Sequence, residues 1–227
     1  MKLRNATTCF FLIIGTLSAA AVIGSQRTEP STETGVLLSY SGGLTGSSTG
    51  EIRLRVKDRE IRVFYQNPFK RYAFAGPNCE RIGAIWKIQY RRRVVDPDTG
   101  IDLYLESATC TGQVDASIGP ASDAVLEFLQ SVARRDFVSA HRLLDPVLAS
   151  KQRLSSLESA MLVYDFSQFQ NFGSVIPCTE VRQTVRQGVN VLAGPQCFIT
   201  KEGRPTSWSF HVIARKGVWR IASFIQK

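Results

Sequence analysis

Hydrophobic and polar residues alternate over residues 36–115, as they do in strands that bury one face. The clearest run is 52–57, where three aliphatic residues alternate with the cations Arg53, Arg55 and Lys57. Residues 61–65 follow a polar turn and are expected to pair with this strand as a hairpin. Two further strands are expected at 85–90 and 101–109, joined by the turn sequence at 96–100. The pattern predicts a small basic antiparallel β-domain over 36–115.

The hydrophobic period changes to that of a helix in the next part of the chain. Apolar residues recur at helical spacing from Val125 to Val132, with Ser122 as the expected N-cap. A second helix is expected over 136–148, kinked or ended by Pro146, and a third is expected after a cap at Ser150. Four strands should follow. Their expected ranges are 175–186, 189–200, 207–215 and 218–225, with Gly217 in the last turn.

Two segments of this second half carry a resemblance. They are "ARRDFVSAHRLL" (133–144), which follows the opening helix, and "GVWRIASF" (217–224), which ends the strand meander. Together with the short helices they resemble the nuclear-transport-factor-2-like superfamily. The resemblance covers 119–227 and implies a cone, in which a bent sheet wraps around helices and leaves a pocket at its mouth. The expected fold class is α+β, a small antiparallel β-domain followed by an α+β cone with three helices. Because one fold hosts many functions, the resemblance implies no reaction.

The first 25 residues have the composition of an export signal. Lys2 and Arg4 precede an apolar core at 9–17, and small residues follow it, with cleavage expected near Ala20 or Ala21. The polar residues 26–35 are expected to form a linker. An exported protein, periplasmic or extracellular, is predicted. Without cleavage, the same segment would be an N-terminal membrane anchor with the domains outside.

Four cysteines remain outside the signal, an even number that predicts disulfides in an oxidising compartment. Pairing of nearest neighbours gives Cys79–Cys110 and Cys178–Cys197, although four cysteines allow three arrangements. The chain has two histidines and no CxxC motif, so neither a metal site nor a cofactor is predicted.

Cations are the most visible feature of the composition. The chain has 28 Lys and Arg against 19 Asp and Glu, a formal charge of +9, and loss of Lys2 and Arg4 with the signal leaves +7. An anionic envelope component or an acidic protein surface is the expected partner, and export argues against nucleic acid. A solvated face that protects a sheet edge is the alternative. The residues expected to bind the partner are Arg53, Arg55, Lys57, Arg91, Arg92 and Arg93.

His141 is the first candidate for catalysis. Asp136 lies five residues before it and Asp145 four after it, so a His–carboxylate pair could act as a general base. An exposed His141, with Asp136 as an ordinary helix cap, is the alternative and is favoured.

His211 and Ser48 are weaker catalytic candidates. His211 could meet His141 in a cone pocket and bind a metal with Asp165 or Glu180, but no metal-binding motif is present. Ser48 lies in a GxSxG match at 46–50, which lacks the strand before it and the helix after it that a nucleophile elbow needs.

Three hypotheses follow from the sequence. The first is an exported, non-enzymatic two-domain binding protein of the cell envelope, whose cone dimerises or holds a small apolar ligand. The second is a cone enzyme, a hydrolase, isomerase or dehydratase, that uses a His–carboxylate pair. The third is a component of a larger envelope assembly.

Overall fold

Five strands in the first half of the chain close into a barrel. The structure, a computed structural model, describes residues 29–41, 49–66, 78–79, 81–96, 100–170, 179–185, 187–194 and 199–227. The barrel strands are β1 (Ser31–Ser41), β2 (Thr49–Val56), β3 (Arg59–Gln66), β4 (Ala84–Asp96) and β5 (Gly100–Val114). Their order is β1-β2-β3-β5-β4, and β1 pairs again with β4 to close the barrel. Strands β3 and β5 are parallel, and the other neighbours are antiparallel. This is the Greek-key order of an OB-type barrel.

The alternation of apolar residues explains the hairpin of β2 and β3. Ile52 and Leu54 point into the barrel with Val63 and Tyr65 of the partner strand, and all four are buried. The predicted hairpin is therefore confirmed. Its turn places Lys57 at a φ of 54°, in the left-handed region.

The start of the barrel differs from the expected linker over 26–35. Residues from Ser31 onward form β1, and Thr32 and Thr34 pair with β4 although their side chains are exposed. Backbone hydrogen bonds to a neighbouring strand need no apolar side chain, so a polar stretch can close a barrel. Residues 1–28, which include the expected signal, lie outside the described residues.

In its described residues, the second half contains four α-helices and two antiparallel sheets. The helices are α1 (Ile118–Ala133), α2 (Phe137–Arg142), α3 (Pro146–Lys151) and α4 (Leu154–Met161). The strands are β6 (Tyr164–Asp165), β7 (Thr179–Val185), β8 (Gly188–Ala193), β9 (Ile199–Lys201), β10 (Arg204–Thr206), β11 (Trp208–Arg215) and β12 (Val218–Gln226). One sheet has the order β12-β11-β8-β7 and the other β10-β9-β6. The chain is thus an α+β protein, as predicted.

The expected second helix, 136–148, is two short helices. Pro146 lacks an N–H and begins α3, and the Asp145 side chain caps that helix by accepting from Val147 N at 3.0 Å. Just before α3, the backbone forms hydrogen bonds with β12 of the four-stranded sheet. Ile221 N donates to Leu143 O, and Asp145 N donates to Ile221 O. The described residues therefore contain four α-helices where three are expected from the sequence.

Other helix and strand boundaries also differ from those expected from the sequence. Helix α1 begins four residues before Ser122, which is buried and lies 3.3 Å from Thr179 of β7 through their hydroxyl oxygens. Ser150 lies within α3 rather than capping the next helix. The expected strand 189–200 is divided into β8 and β9, whereas the last two expected strands and the Gly217 turn are confirmed.

Aromatic residues form the core between α1 and the four-stranded sheet. Phe128 of α1 contacts Phe210 edge to face, with ring centroids 5.8 Å apart, and also contacts Phe224. Trp208 packs on Tyr164 at 5.0 Å. This packing holds α1 against the sheet through large apolar surfaces.

One of the two expected disulfides is present. Cys79 and Cys110 are bonded and connect the segment before β4 to β5. Cys178 and Cys197 lie outside the described residues, as does Ser48. In the part of the chain that the structure describes, no helix has the length and apolarity needed to cross a bilayer.

Candidate functional site

Arg53 and Arg55 point outward from β2 as predicted, but both are engaged within the protein. Arg53 Nη1 lies 2.5 Å from Glu180 Oε1 on β7, and its Nη2 lies 2.5 Å from Glu60 Oε1. Arg55 Nη2 lies 2.7 Å from Asp115 Oδ2, just before α1. The expectation that Arg53 and Arg55 bind an external partner is corrected here, because both side chains form ion pairs that connect the barrel to the second half of the chain.

Asp115 is the acidic partner on the side of α1. Its Oδ1 accepts from Ser117 Oγ at 2.7 Å and from Ile118 N at 2.8 Å, so it satisfies a backbone N–H at the start of the helix, whose N-cap residue is Ser117. Burial disfavours its charged form, yet these hydrogen bonds and the Arg55 guanidinium hold the pKa of Asp115 below its ordinary value.

A backbone contact completes this connection. Gly83 has a φ of 91°, and a Cβ built there would lie 2.6 Å from Gly119 Cα in α1. Gly83 also accepts from Asp115 N at 2.8 Å and donates to Leu37 O of β1 at 2.8 Å. We refer to the Arg53–Glu180 pair, the Arg55–Asp115 pair and this Gly83–Gly119 contact as the joint.

The other expected partner-binding cations lie outside the joint. Lys57 is exposed in the β2–β3 turn, and Arg92 is exposed on β4. Arg91 forms an ion pair with Glu106 of β5. The Arg93 guanidinium lies over the ring of Tyr104, 5.7 Å from its centroid.

Two aromatic rings accompany these arginines on the outside of the barrel. Phe64 of β3 and Tyr104 of β5 are partners across the parallel pair, their centroids are 6.1 Å apart, and both are partly exposed. Trp86 and Tyr90 of β4, the aromatic residues that precede the run Arg91–Arg93 in the sequence, point inward instead and are 2% exposed. The exposure of Phe64 could have been predicted from the sequence, because this apolar residue occupies the polar side of an alternating strand.

Charged side chains of both signs surround the two rings. Arg62 donates to both oxygens of Glu51, from Nε at 3.0 Å and from Nη2 at 2.6 Å. Asp102 lies opposite Arg93 in the β4–β5 register, and Arg91 is paired with Glu106. We call this surface the aromatic wall. It comprises Phe64, Tyr104, Arg62, Arg91, Arg93, Glu51, Asp102 and Glu106.

His141 has a structural partner. Its Nε2 donates to the backbone oxygen of Gln152 at 2.7 Å and so ties α2 to the end of α3. Asp136 caps α2, and hydrogen bonds from the Ser139 side chain and backbone lower its pKa. Asp145 binds Arg215 and caps α3. In the described residues His141 therefore forms a hydrogen-bonded pair with neither carboxylate.

His211 and its proposed co-ligands also lie in separate surroundings. His211 Nδ1 lies 2.8 Å from Asn190 Oδ1 on the neighbouring strand β8. Asp165 accepts from Ser167 N at 2.8 Å, and Glu180 belongs to the joint. Over the described ranges, no group of three His, Cys, Asp or Glu residues could hold a metal ion.

A shallow cavity of about 200 Å³ lies between the end of α1, α2, α4 and β6. Its lining includes Phe137, Met161 and Phe166, which are almost fully buried, and the charged residues Arg135 and Asp165. Neither histidine lines it.

Comparisons with known proteins give no family. No family model and no curated protein matches the chain. Among solved structures, a putative aspartyl-tRNA synthetase from Leishmania major Friedlin matches with 10% identity and a TM-score of 0.30, over 79% of this chain and 50% of that one. An aspartyl tRNA synthetase from Entamoeba histolytica matches with 10% identity and a TM-score of 0.30, over 85% and 55%. The Ifi202 HINa domain in complex with 20 bp dsDNA matches with 11% identity and a TM-score of 0.24, over 88% and 96%. The chain thus spans about half the length of the two synthetases, and likenesses at these TM-scores carry no argument about fold or function.

Proposed function

We propose that this protein is an exported, non-enzymatic binding protein of the cell envelope and that the aromatic wall is its contact surface. The observation that carries the proposal is the pair Phe64 and Tyr104, two partly exposed rings side by side on a barrel. Aromatic rings flanked by guanidinium groups provide a large contact area at low cost in side-chain entropy.

Export is supported by two features. The first is the Cys79–Cys110 disulfide, because disulfides form and persist in oxidising compartments. The sequence of the first 25 residues has the order of charged, apolar and small residues that a cleaved signal requires.

We also propose that the second half is a cone of the nuclear-transport-factor-2-like type. Its support is the long helix α1 packed by Phe128 on an antiparallel sheet, with a cavity at the end of α1. We place the small apolar ligand of this proposal in that cavity, whose lining includes Phe137, Met161 and Phe166.

An anionic partner is a second proposal for the same protein. It is supported by the formal charge of +9 and by the exposed Lys57 and Arg92. The enzyme hypothesis has less support, since His141 and His211 have hydrogen-bond partners other than a carboxylate.

The test is expression of the full chain in the native host with a C-terminal tag. We expect the protein in the exported fraction, a mass that corresponds to loss of about the first 20 to 25 residues, and co-sedimentation with envelope fragments. The double variant Phe64→Ala/Tyr104→Ala should sediment far less, and Thr109→Ala, exposed on β5 outside the wall, should behave as the wild type. Retention inside the cell, or equal sedimentation of all three proteins, would refute the proposal.

A further inference from the structure

We propose that the short helices α2, α3 and α4 form a face that docks on a bilayer containing anionic phospholipid. This inference rests on the proposed export, because an exported chain meets the outer surface of a membrane, but it does not involve the aromatic wall. It draws on the exposed aliphatic side chains of these helices, on the cations beside them and on the way the helices are held together. We refer to the exposed side chains of residues 134–163 as the helical face.

The exposed aliphatic side chains are concentrated in one part of the chain. Among the described residues, seven large hydrophobic residues are exposed, and five of these lie between positions 138 and 163. They are Val138, Val147, Leu154, Leu162 and Val163, with exposed fractions from 39% to 54%. Single exposed apolar residues scattered over a surface need no explanation, whereas a concentration of them around three short helices indicates a contact surface.

Cations accompany these aliphatic side chains along the helices. Val138 of α2 is followed four residues later by the exposed Arg142, and Val147 of α3 is followed four residues later by the exposed Lys151. Residues four apart lie on the same face of a helix. Each of these two helices therefore presents an aliphatic group and a cation side by side.

Contacts within the fold hold the three helices in one layer. Helix α2 packs on both α1 and α4. His141 Nε2 of α2 donates to the backbone oxygen of Gln152, at the end of α3, at 2.7 Å. The buried side of the layer includes Phe137, Leu157 and Met161. The opposite side is already exposed in the folded chain, so docking there needs no rearrangement.

The helical face has an excess of positive charge. Its exposed cations are Arg134, Arg135, Arg142, Lys151 and Arg153, and its exposed carboxylates are Asp136 and Glu158. The remaining carboxylate of this segment, Asp145, is buried and paired with Arg215. Five cations against two carboxylates leave a formal charge of +3 on the face. An anionic partner is therefore attracted to this surface.

The combination of aliphatic groups and cations favours a bilayer over other anionic partners. A polyanion gains free energy from the cations through counterion release, but it gains nothing from exposed Val and Leu side chains. Protein interfaces depend mainly on aromatic and arginine anchors in a packed centre, and over residues 134–163 every exposed large apolar side chain is aliphatic. An anionic bilayer uses both groups, because its headgroups attract Lys and Arg while aliphatic side chains enter the boundary with the acyl chains.

The experiment is sedimentation of the chain from Gln26 onward with phospholipid vesicles. This chain lacks the apolar residues 9–17, which could bind lipid by themselves. The probes are vesicles of equal parts phosphatidylglycerol and phosphatidylcholine, and vesicles of phosphatidylcholine alone. We expect the chain to bind the anionic vesicles, with an affinity that falls as salt is added, and to bind the neutral vesicles much more weakly.

Two double variants test the two components of the face. Arg142→Ser/Lys151→Ser should weaken binding to the anionic vesicles by about fivefold for each cation removed. Val138→Ser/Val147→Ser should weaken it about tenfold in total, because the aliphatic surface that enters the bilayer is lost. The salt dependence should decrease in the first variant and stay unchanged in the second.

Matched controls remove the same groups from other surfaces. Lys87→Ser/Lys227→Ser removes two exposed cations outside the face, and Val218→Ser/Ile225→Ser removes two exposed aliphatic side chains of β12. Both controls should bind the vesicles as the wild type does. Melting curves equal to that of the wild type would show that all four double variants fold.

Three results would overturn the inference. The first is equal sedimentation of the wild type with anionic and neutral vesicles. The second is an equal loss of binding in the helical variants and in their controls. The third is binding of the helical face to soluble polyglutamate without binding to the vesicles, which would assign the face to an acidic protein partner.

Failure of this inference can be distinguished from failure of the proposed function. Phe64→Ala/Tyr104→Ala should bind the vesicles as the wild type does, because the aromatic wall takes no part in lipid binding. Two contacts with one envelope reinforce each other, so loss of either should still weaken sedimentation with envelope fragments. If the vesicles do not bind while that sedimentation depends on Phe64 and Tyr104, the proposed function stands alone. Retention of the chain inside the cell would remove both.

Discussion

Arg55 and Asp115 join the barrel to the first helix through a single carboxylate. Asp115 Oδ2 lies 2.7 Å from Arg55 Nη2 of β2, while Oδ1 accepts from the N–H of Ile118 at the start of α1. The same side chain thus accepts a hydrogen bond from the first residue of a helix and forms an ion pair with a strand sixty residues away. Its removal should affect two parts of the fold at once.

We expect Asp115→Ala to lower the free energy of unfolding by about 2 kcal/mol, because Ile118 N loses its acceptor and Arg55 loses its ion pair with Asp115. Denaturant unfolding followed by circular dichroism measures this. The control is Asp58→Ala in the exposed β2–β3 turn, which should change stability by less than about 0.5 kcal/mol. Equal effects of the two substitutions would contradict the role given to Asp115.

Arg53→Ala should cost roughly 3 kcal/mol, since it leaves Glu180, which is only 6% exposed, without one of its two cations. The double variant Arg53→Met/Glu180→Leu should recover much of this loss, because apolar side chains of similar size avoid the buried charge. Thermal melts of both variants and of Arg62→Ala test the point. Arg62 lies in an exposed pair, and its loss should cost no more than about 1 kcal/mol.

Gly83→Ala should be strongly destabilising, by more than about 2 kcal/mol, because a Cβ would meet the backbone of Gly119 and the positive φ adds strain. Gly112→Ala is the matched control. Its φ is 76°, but a Cβ there meets nothing within 4 Å, so only the strain of about 1 kcal/mol remains. If the two glycines respond alike in urea unfolding, close packing at the joint is not what requires Gly83.

The double variant Cys79→Ala/Cys110→Ala should lower the free energy of unfolding by roughly 3–4 kcal/mol, since the bond closes a loop with a separation of 31 residues. Denaturant unfolding without reductant measures the loss. Substitution of both cysteines removes this bond alone and leaves Cys178 and Cys197 chemically unchanged. A midpoint equal to that of the wild type would mean that the bond contributes nothing to stability.

Stability should also fall in acid through Asp145. Burial opposes its ionisation, but the hydrogen bonds from Arg215 and Val147 N hold the pKa of Asp145 below the ordinary 3.8. Its contribution is therefore complete above that value and is lost as the pH falls through the lower pKa of the folded state. The stability difference between the wild type and Asp145→Asn, taken from denaturant unfolding at each pH, should shrink over this range. A difference that stays constant would contradict the role given to Asp145.

Local sequence patterns predicted much of the fold. The alternation around Arg53 located the β2–β3 hairpin, and the spacing of cysteines suggested the Cys79–Cys110 bond that the structure contains. Pro146 marked the break between two helices. These features depend on neighbours in the chain, so a single sequence reveals them.

The ion pairs that Arg53 and Arg55 form could not be predicted from local sequence patterns. Arg53 and Glu180 are 127 residues apart, and nothing local distinguishes an arginine that will be paired from one that will face solvent. The same holds for Phe64 and Tyr104, which become neighbours only when β3 and β5 pair. Sequence reasoning found cations on a sheet and missed which of them are free to meet a ligand.

The backbone link between residues 143–145 and Ile221 has a consequence for how the chain acquires its structure. Asp145 needs Ile221 O for its own N–H, and its carboxylate needs Arg215, seventy residues further along. A chain that emerges with its N-terminus first can close the barrel while these partners are still absent. The turn between α2 and α3 therefore lacks these hydrogen bonds until β11 and β12 have been synthesised. We therefore expect ribosome-bound chains that end before β11 to protect the amides of the barrel from hydrogen exchange and to leave those of this turn unprotected.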